Sequence, residues 1–453
     1  MKDLTKGNPA KVMLEFAMPV ALGNIFQLCY SLADTRVVGS TLGETALAAV
    51  GATTSISTLF VGFLSGLTNG FAILVAREFG GGHERELKRY GAGTLLLGVL
   101  TALALTVLCV AGLPWLLALL NVPDALMKES SFYIRIILLG LVMTCMYNGC
   151  AGILRAVGDT TAALVFLVCA SVLNIGLDLA FILIFKLGVA GAALATVISQ
   201  AVSVACSLIY MMKRYPVFRF QPVDFQITRE EVRELYSSGL SMAAMMSLVF
   251  FGTLSLQCAI NTFGNEIIVA HTAARKITEF CMLPFSVLGV TMATYCGQNI
   301  GAGRLDRIRQ GLRHSLMISA VWAVGMIVLC YTAAPAMVHL VTGSVNEEIM
   351  YTASLYLKVN SVLFFVTAVI CIVRNALQAM GEHWIPLVSS GIELVGKVAV
   401  AFLLTPLIQY WGIIVAEPIV WVLMVIPLII RMRQRLKEAD KITAFSPAAC
   451  KRP

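Results

Sequence analysis

The sequence predicts an all-α integral membrane protein, with twelve transmembrane helices in two six-helix lobes related by a pseudo-two-fold axis along the membrane normal. Three observations lead to this fold class. Hydrophobic residues make up 58% of the 453 residues, charged residues only 13%, and the mean hydropathy is +0.85, a composition that does not fit a water-facing surface. Apolar runs of about 20 residues recur between short polar segments. The two halves of the chain also resemble each other.

Twelve apolar runs follow one another along the chain, and each is long enough to cross a bilayer as a helix. We expect the helices to begin near residues 13, 46, 92, 133, 161, 189, 239, 266, 314, 352, 385 and 412. The N-terminus has a basic start before an apolar run, but no clean small-residue cleavage site follows it. The first run is therefore interpreted as a retained spanning helix and not as a signal peptide.

The basic residues are unevenly distributed among the gaps between these runs. If the N-terminus is cytoplasmic, 24 of the 33 Lys and Arg residues fall in gaps or tails on the cytoplasmic side. The basic residues at or near the opposite face are Arg36, Lys128, Arg135 and Lys186. The positive-inside rule then predicts that both termini are cytoplasmic. Topology also accounts for the net charge of +8, so no nucleic-acid partner is expected.

Matching segments recur in order in the two halves of the chain. "TLGETALAA" (41–49) matches "TFGNEIIVA" (262–270) at an offset of 221 residues. "LRAVGDT" (154–160) matches "LQAMGEH" (377–383) at an offset of 223. Ordered matches at one slowly drifting offset indicate an internal duplication.

The duplication predicts the domain organisation. Each half contains six spans, an even number, so the two halves run in the same direction through the membrane. The predicted parts are an N-terminal lobe over residues 1–212, a cytoplasmic linker over 213–237, a C-terminal lobe over 238–430 and a basic cytoplasmic tail over 431–453. Repeats of this kind bind substrate near the bilayer midplane and alternate its access, which favours a transporter over a pore or a receptor.

Two polar stripes, each ending in an acid, interrupt the apolar runs of the first half. Spacings of three and four place each stripe on one helix face. The stripes are Asn24, Gln27, Ser31 and Asp34 on the first span, and Ser171, Asn174 and Asp178 on the fifth. An ionised acid at the membrane centre costs about 2.5–3.5 kcal/mol by insertion scales, so we expect Asp34 and Asp178 to share a polar cavity and bind a coupling ion. The alternative is a structural acid satisfied by neighbouring hydroxyls or by Arg135.

Four segments spread along the chain carry a family resemblance: "LADTRVVGSTLGETALAAVGA" (32–52), "LRAVGDT" (154–160), "QNIGAGRLD" (298–306) and "WGIIVAEPIVW" (411–421). With them the chain resembles bacterial members of the multidrug and toxic compound extrusion (MATE) family. The resemblance implies a multi-pass protein of the bacterial inner membrane, with two lobes around a central cavity. It also implies secondary active efflux of drug-like, often cationic and amphipathic compounds in exchange for protons or sodium. A flippase of lipid-linked saccharides, which shares this architecture, is the alternative function.

The acids of the first half resemble the DinF-like branch of that family, which implies a proton-linked cluster. Its members in this sequence would be Asp34, Asn174, Asp178, Thr196 and Tyr133. The oxygens of Asp34, Asn174 and Asp178 would also suit a sodium ion, because hard cations prefer carboxylate, amide and hydroxyl oxygens. The sequence does not indicate whether the coupling ion is a proton or a sodium ion.

The second half is not a copy of the first in its charged residues. The NorM-like branch carries acids on the seventh and tenth spans, and this sequence has none there, which argues against a coupling site in the second lobe. It has instead Arg275, Lys276 and Glu279 on the eighth span, and Glu393 and Lys397 on the eleventh. The spacing of four between Arg275 and Glu279, and between Glu393 and Lys397, suits ion pairs along one helix face. Either these pairs are structural, or the cations face a cavity and extend the substrate range towards anionic or zwitterionic molecules.

Motifs for other kinds of chemistry are absent from the sequence. It contains no P-loop, no HExxH and no paired Cys and His ligand set, so we expect no enzymatic activity, no resident cofactor and no use of ATP. Eleven of the twelve cysteines lie in apolar segments without metal-like spacing and are interpreted as small apolar residues. The expected partners are a small-molecule substrate and the lipid bilayer, and the chain is expected to act as a monomer.

Overall fold

The computed structural model describes residues 2–119, 122–344 and 346–445. Within these ranges every regular element is helical, which agrees with the predicted all-α class. Ten helices are long and apolar enough to cross a membrane, and two helix pairs bent by 44° and 54° pass the same test together. Counting each pair as one span gives the twelve spans that the apolar runs predict.

The chain divides into two compact units, and their main boundary falls within one long helix, between Met246 and Ser247. The first unit contains residues 2–4 and Leu14–Met246; the second contains Thr5–Met13 and the chain from Ser247 onwards. In chain order the helices up to this boundary are α1 (Pro9–Leu42), α2 (Glu44–Gly81), α3 (Glu84–Ala111), α4 (Leu113–Leu119), α5 (Asp124–Leu139), α6 (Leu141–Ala156), α7 (Thr160–Leu179), α8 (Val189–Arg214) and α9 (Arg229–Ile260). Those after it are α10 (Asn265–Gly301), α11 (Leu305–Thr342), α12 (Glu347–Ser361), α13 (Phe364–Ala379), α14 (Trp384–Ala399), α15 (Thr405–Ile408) and α16 (Tyr410–Phe445).

The fourth and tenth spans are broken for local reasons. The fourth bends between α5 and α6 at Gly140, where an added Cβ would lie 2.3 Å from the side chain of Val197, so only glycine allows α8 to approach this closely. The tenth bends between α12 and α13, just after Asn360. The Asn360 amide donates to the carbonyl oxygens of Tyr356 at 3.0 Å and Ile414 at 3.2 Å. Such side-chain bonds compete with the helical hydrogen-bond pattern.

Several helices begin earlier than their apolar runs. The structure starts α3 at Glu84, α5 at Asp124 and α9 at Arg229, whereas the runs predict starts near 92, 133 and 239. Hydrophobicity marks the part of a helix that crosses the membrane, while backbone hydrogen bonds continue into the polar residues beyond it. Part of the predicted basic tail, up to Phe445, is likewise helical as the end of α16, and residues 446–453 lie outside the described part of the chain.

The segment predicted as a linker is held against the first unit. Helices α8 and α9 leave residues 215–228 between them, which form two short 3₁₀ turns, and the Phe218 side chain is fully buried. Three ion pairs join this region to α2 and α3: Lys88–Asp224 at 2.9 Å, Arg89–Glu231 at 2.8 Å and Arg77–Glu234 at 2.7 Å. The segment therefore packs as part of the unit.

Candidate functional site

Helices α1, α5, α7 and α8 bring six polar residues together inside the first unit. This set, which we call the acid cluster, comprises Tyr30, Asp34, Tyr133, Asn174, Asp178 and Thr196. Five of the six are the residues that the family resemblance implies for ion coupling. They come from four helices, so the grouping depends on how those helices pack.

Helix α7 supplies the most buried part of the acid cluster. The helix begins at Thr160, where the carboxylate of Asp159 accepts from the Ala162 backbone N–H at 3.1 Å and caps it. Its polar stripe points inward, so Asn174 is 1% exposed and Asp178 is 0% exposed. Asp34 reaches the same place from α1, and the two carboxyl groups are close enough to interact directly.

The Asn174 side chain connects α7 to both neighbouring helices. All its contacts are satisfied when the amide nitrogen donates to Asp178 Oδ2 at 3.1 Å and to the Tyr30 hydroxyl at 2.5 Å. The amide oxygen then accepts from the backbone N–H of Thr196 at 3.0 Å. We adopt this orientation because it satisfies the hydrogen-bond network. Asn174 thus presents hydrogen-bond donors, and not its oxygen, to Asp178 and Tyr30.

Two tyrosines flank the carboxyl groups. Tyr30 and Tyr133 each lie close enough to Asp34 and Asp178 to interact with both electrostatically. The sequence analysis overlooked Tyr30, although a signal was present: Tyr30 precedes Asp34 by four residues and so shares its helix face.

Asp178 has no cationic partner in the described part of the chain, and its Oδ1 atom has no hydrogen-bond partner there. Arg135, the structural alternative considered above, has an exposed side chain, whereas Asp178 is completely buried. Arg36 is also exposed. The acid cluster therefore contains two acids and no basic residue.

A cavity of about 120 Å³ lies between α1, α6 and α7. Asn24 and Gln27 line it together with Tyr147, Asn148 and Arg155. Two other residues predicted for the substrate cavity are not part of this lining. The Ser171 hydroxyl is buried and donates to the Leu167 carbonyl oxygen at 2.9 Å. Ser31 is exposed on α1.

The charged residues of the second unit form a buried ion network. Lys397 pairs with Glu393 at 2.8 Å, and Arg275 lies 3.8 Å from Glu279, so both spacings of four seen in the sequence correspond to contacts. The centre of the network is Glu417, which the sequence analysis did not single out. The sequence did contain an indication of it, because Glu417, like Asp178, is a single acid within an apolar run.

Glu417 on α16 joins residues from three other helices. One carboxylate oxygen pairs with Arg275 and lies 3.8 Å from the Lys397 ammonium, and the other accepts from the Tyr356 hydroxyl at 2.8 Å. The network borders a cavity of about 200 Å³ whose lining includes Arg275, Glu279, Glu393, Lys397 and Glu417. Lys276 was predicted for this cavity, but it is exposed and absent from the lining, because it follows Arg275 directly and points to another side of α10.

A single family model, MatE, matches this chain twice, over residues 19–180 and again over 241–403. The chain belongs to the MatE family. The second match begins 222 residues after the first, in agreement with the internal duplication. As a MatE protein the chain is a multi-pass membrane transporter of a multidrug efflux family.

The MatE assignment agrees with relatives and with solved structures. The chain is 28% identical over 312 residues to the probable multidrug resistance protein YpnP of Bacillus subtilis, which covers 68% of each chain. It is 26% identical over 398 residues to the probable multidrug resistance protein YoeA of the same organism, covering 86% of each. A solved structure described as the outward-facing conformation of a multidrug resistance MATE family transporter matches with a TM-score of 0.88 at 23% identity, over 97% of this chain and 98% of that one. This match establishes the two-lobe fold.

Proposed function

We propose that this MatE transporter is a proton-coupled antiporter that exports drug-like, cationic amphipathic compounds by alternating access. The observation that carries the proposal is the direct approach of the Asp34 and Asp178 carboxyl groups in the interior of the first unit. The proposal places the protein in the bacterial inner membrane with both termini cytoplasmic, acting as a monomer without a cofactor.

The approach of two acids favours binding of a proton. Two like charges about 4 Å apart repel by about 4 kcal/mol at an effective dielectric constant of about 20. A single proton on the Asp34–Asp178 pair removes that repulsion, so the pair titrates as a unit. The Asp178 Oδ1 atom, which otherwise has no hydrogen-bond partner in the described part of the chain, would become a hydrogen-bond donor if it carried the proton.

The orientation of Asn174 favours a proton over sodium. A sodium ion between the acids would need several oxygen ligands, and the Asn174 oxygen is already engaged by the Thr196 backbone N–H. The groups turned towards Asp178 and Tyr30 are N–H donors, which stabilise a carboxylate but repel a cation. We therefore propose that protonation, and not sodium binding, neutralises the acids.

Exchange follows if proton and substrate exclude each other. A cationic compound near the acids would be favoured while they are charged and disfavoured once a proton is bound. On α1, Gln27 of the cavity and Asp34 are seven residues apart, two turns or about 10 Å along one helix face. That cavity, of about 120 Å³, holds only part of a drug-sized molecule, and a substrate group bound there would lie within electrostatic range of the acids. The names of the relatives, which denote multidrug resistance, support drug-like compounds as substrates.

Transport in proteoliposomes tests the proposal. A proton gradient imposed without sodium should drive export of a cationic dye, and Asp178→Asn should reduce this transport at least tenfold. Ser171→Ala is the matched control, because Ser171 lies buried on the same face of α7 and bonds only to its own helix. A sodium gradient that drives the dye without a pH difference would contradict proton coupling. If neither the proton gradient nor the sodium gradient moves any dye, the flippase alternative would be favoured.

A further inference from the structure

The cavity of the second unit contains an unusual concentration of unpartnered polar atoms. In the described part of the chain, eight buried side-chain nitrogen or oxygen atoms lack a hydrogen-bond partner. Three of them belong to residues that line this one cavity: Thr278 Oγ1, Thr367 Oγ1 and Arg374 Nε. Buried polar groups in proteins are almost always partnered, so such a grouping favours a ligand-binding site. All three groups can donate a hydrogen bond.

One cation that lines the cavity, Arg374, lacks an acid partner in the described part of the chain. Arg275 pairs with Glu417, and Lys397 pairs with Glu393. Arg374 donates only to the Ser390 hydroxyl, at 3.3 Å, and has no acid within 4.0 Å among the described residues. Arg374 is therefore a partly buried cation without an acid partner among the described residues. Glu279 also lines the cavity, but its side chain is 62% exposed and only 3.8 Å from Arg275, so water screens most of its charge.

We propose that the cavity of the second unit binds the carboxylate of a small aromatic or amphipathic molecule. The carboxylate accepts from the Arg374 guanidinium, whose planar donors match its two oxygens, and from the hydroxyls of Thr278 and Thr367. A single negative charge would compensate the Arg374 guanidinium, which no described acid pairs. A doubly charged phosphate would leave an uncompensated negative charge in a buried site, which is unfavourable.

The size and walls of the cavity support this ligand class. Its volume of about 200 Å³ is below the roughly 300–1,000 Å³ of sites for whole drugs, but it accommodates a carboxylate attached to one ring. Trp421, Met282 and Met424 are among the apolar residues that line it. An aromatic ring packs well against indole and thioether groups. The site would therefore hold the acidic end of a larger molecule.

This inference extends the proposed function, and rests on it only in assuming that the bound molecule is a transport substrate. The substrate range would then include carboxylate-bearing and zwitterionic compounds. Binding itself is independent of proton coupling. Asp178→Asn should reduce gradient-driven transport at least tenfold and leave carboxylate binding unchanged, so failure of one proposal can be told from failure of the other.

Equilibrium dialysis of the purified full-length protein in detergent tests the site, with 2-aminobenzoate as a fluorescent probe and protein-free micelles as background. The neutral 2-aminobenzamide, which has nearly the same shape, should bind at least tenfold more weakly. Arg374→Gln should weaken 2-aminobenzoate binding at least tenfold. Lys276→Gln removes one positive charge from an exposed residue outside the cavity and should leave 2-aminobenzoate binding unchanged.

Three results would overturn the proposal. Equal binding of acid and amide would show that only the apolar lining matters. Equal effects of Arg374→Gln and Lys276→Gln would show a diffuse charge effect. Displacement of the probe by inorganic phosphate or by phosphatidylglycerol vesicles at lower concentration than by benzoate would assign the site to a phosphate group. If Arg374→Gln does not fold, Thr367→Val decides the matter, since loss of one donor should still weaken binding severalfold.

Discussion

Replacing Glu417 with glutamine removes the central charge of the second unit's ion network. Glu417 is buried, with 2% of its surface exposed; it pairs with Arg275, lies 3.8 Å from Lys397 and accepts from the Tyr356 hydroxyl. The substitution keeps an acceptor for the Tyr356 hydroxyl, so the loss is mainly electrostatic. Removing one partner of a buried ion pair costs about 3–5 kcal/mol, because the remaining charge is left uncompensated. We expect a decrease in unfolding free energy of that size.

Reversible unfolding in mixed detergent micelles measures this change. Glu279→Gln provides the control, because that carboxylate is 62% exposed and its contact with Arg275 is long, so the expected cost is below about 1 kcal/mol. Adding Arg275→Met to Glu417→Gln removes the orphaned cation and should restore about 2 kcal/mol or more. A cost below about 1 kcal/mol for Glu417→Gln alone would refute the reasoning, since it would mean that water reaches the network.

Two further perturbations test other parts of the structure. Tyr30→Phe removes a hydroxyl that hydrogen-bonds to Asn174 beside the acids. It should shift the pH dependence of proton-driven transport and leave the protein yield unchanged. An unaltered pH profile would show that Tyr30 has no role in proton coupling. Outside the membrane, partial burial alone would raise the pKa of Asp224, but the Lys88 ammonium and a backbone N–H outweigh it and lower that pKa below 3.8. The resulting stabilisation, below about 1 kcal/mol for a surface pair, is present above pH 3.8 and is lost as the pH falls further. Asp224→Asn should therefore destabilise the protein at pH 7 and not at pH 2, which thermal unfolding at the two pH values would show.

The sequence by itself determined the features that depend on local pattern. The number of spans follows from hydrophobicity, the duplication from ordered matches, and the inward face of α7 from residues three and four apart. The pairing of Glu393 with Lys397 follows in the same way, since two residues one helical turn apart need no information from other helices.

Only the tertiary structure decided which side chains from different helices meet. Tyr30 joins the acid cluster, Glu417 joins Arg275 to Tyr356, and Arg374 has no acid partner among the described residues. Each outcome depends on the rotation and depth at which the helices pack. Helical periodicity specifies a direction around one axis and not the neighbour found in that direction. Packing of separate helices therefore decided which of the cations in the second cavity are paired with acids, and no spacing in the sequence predicts that outcome.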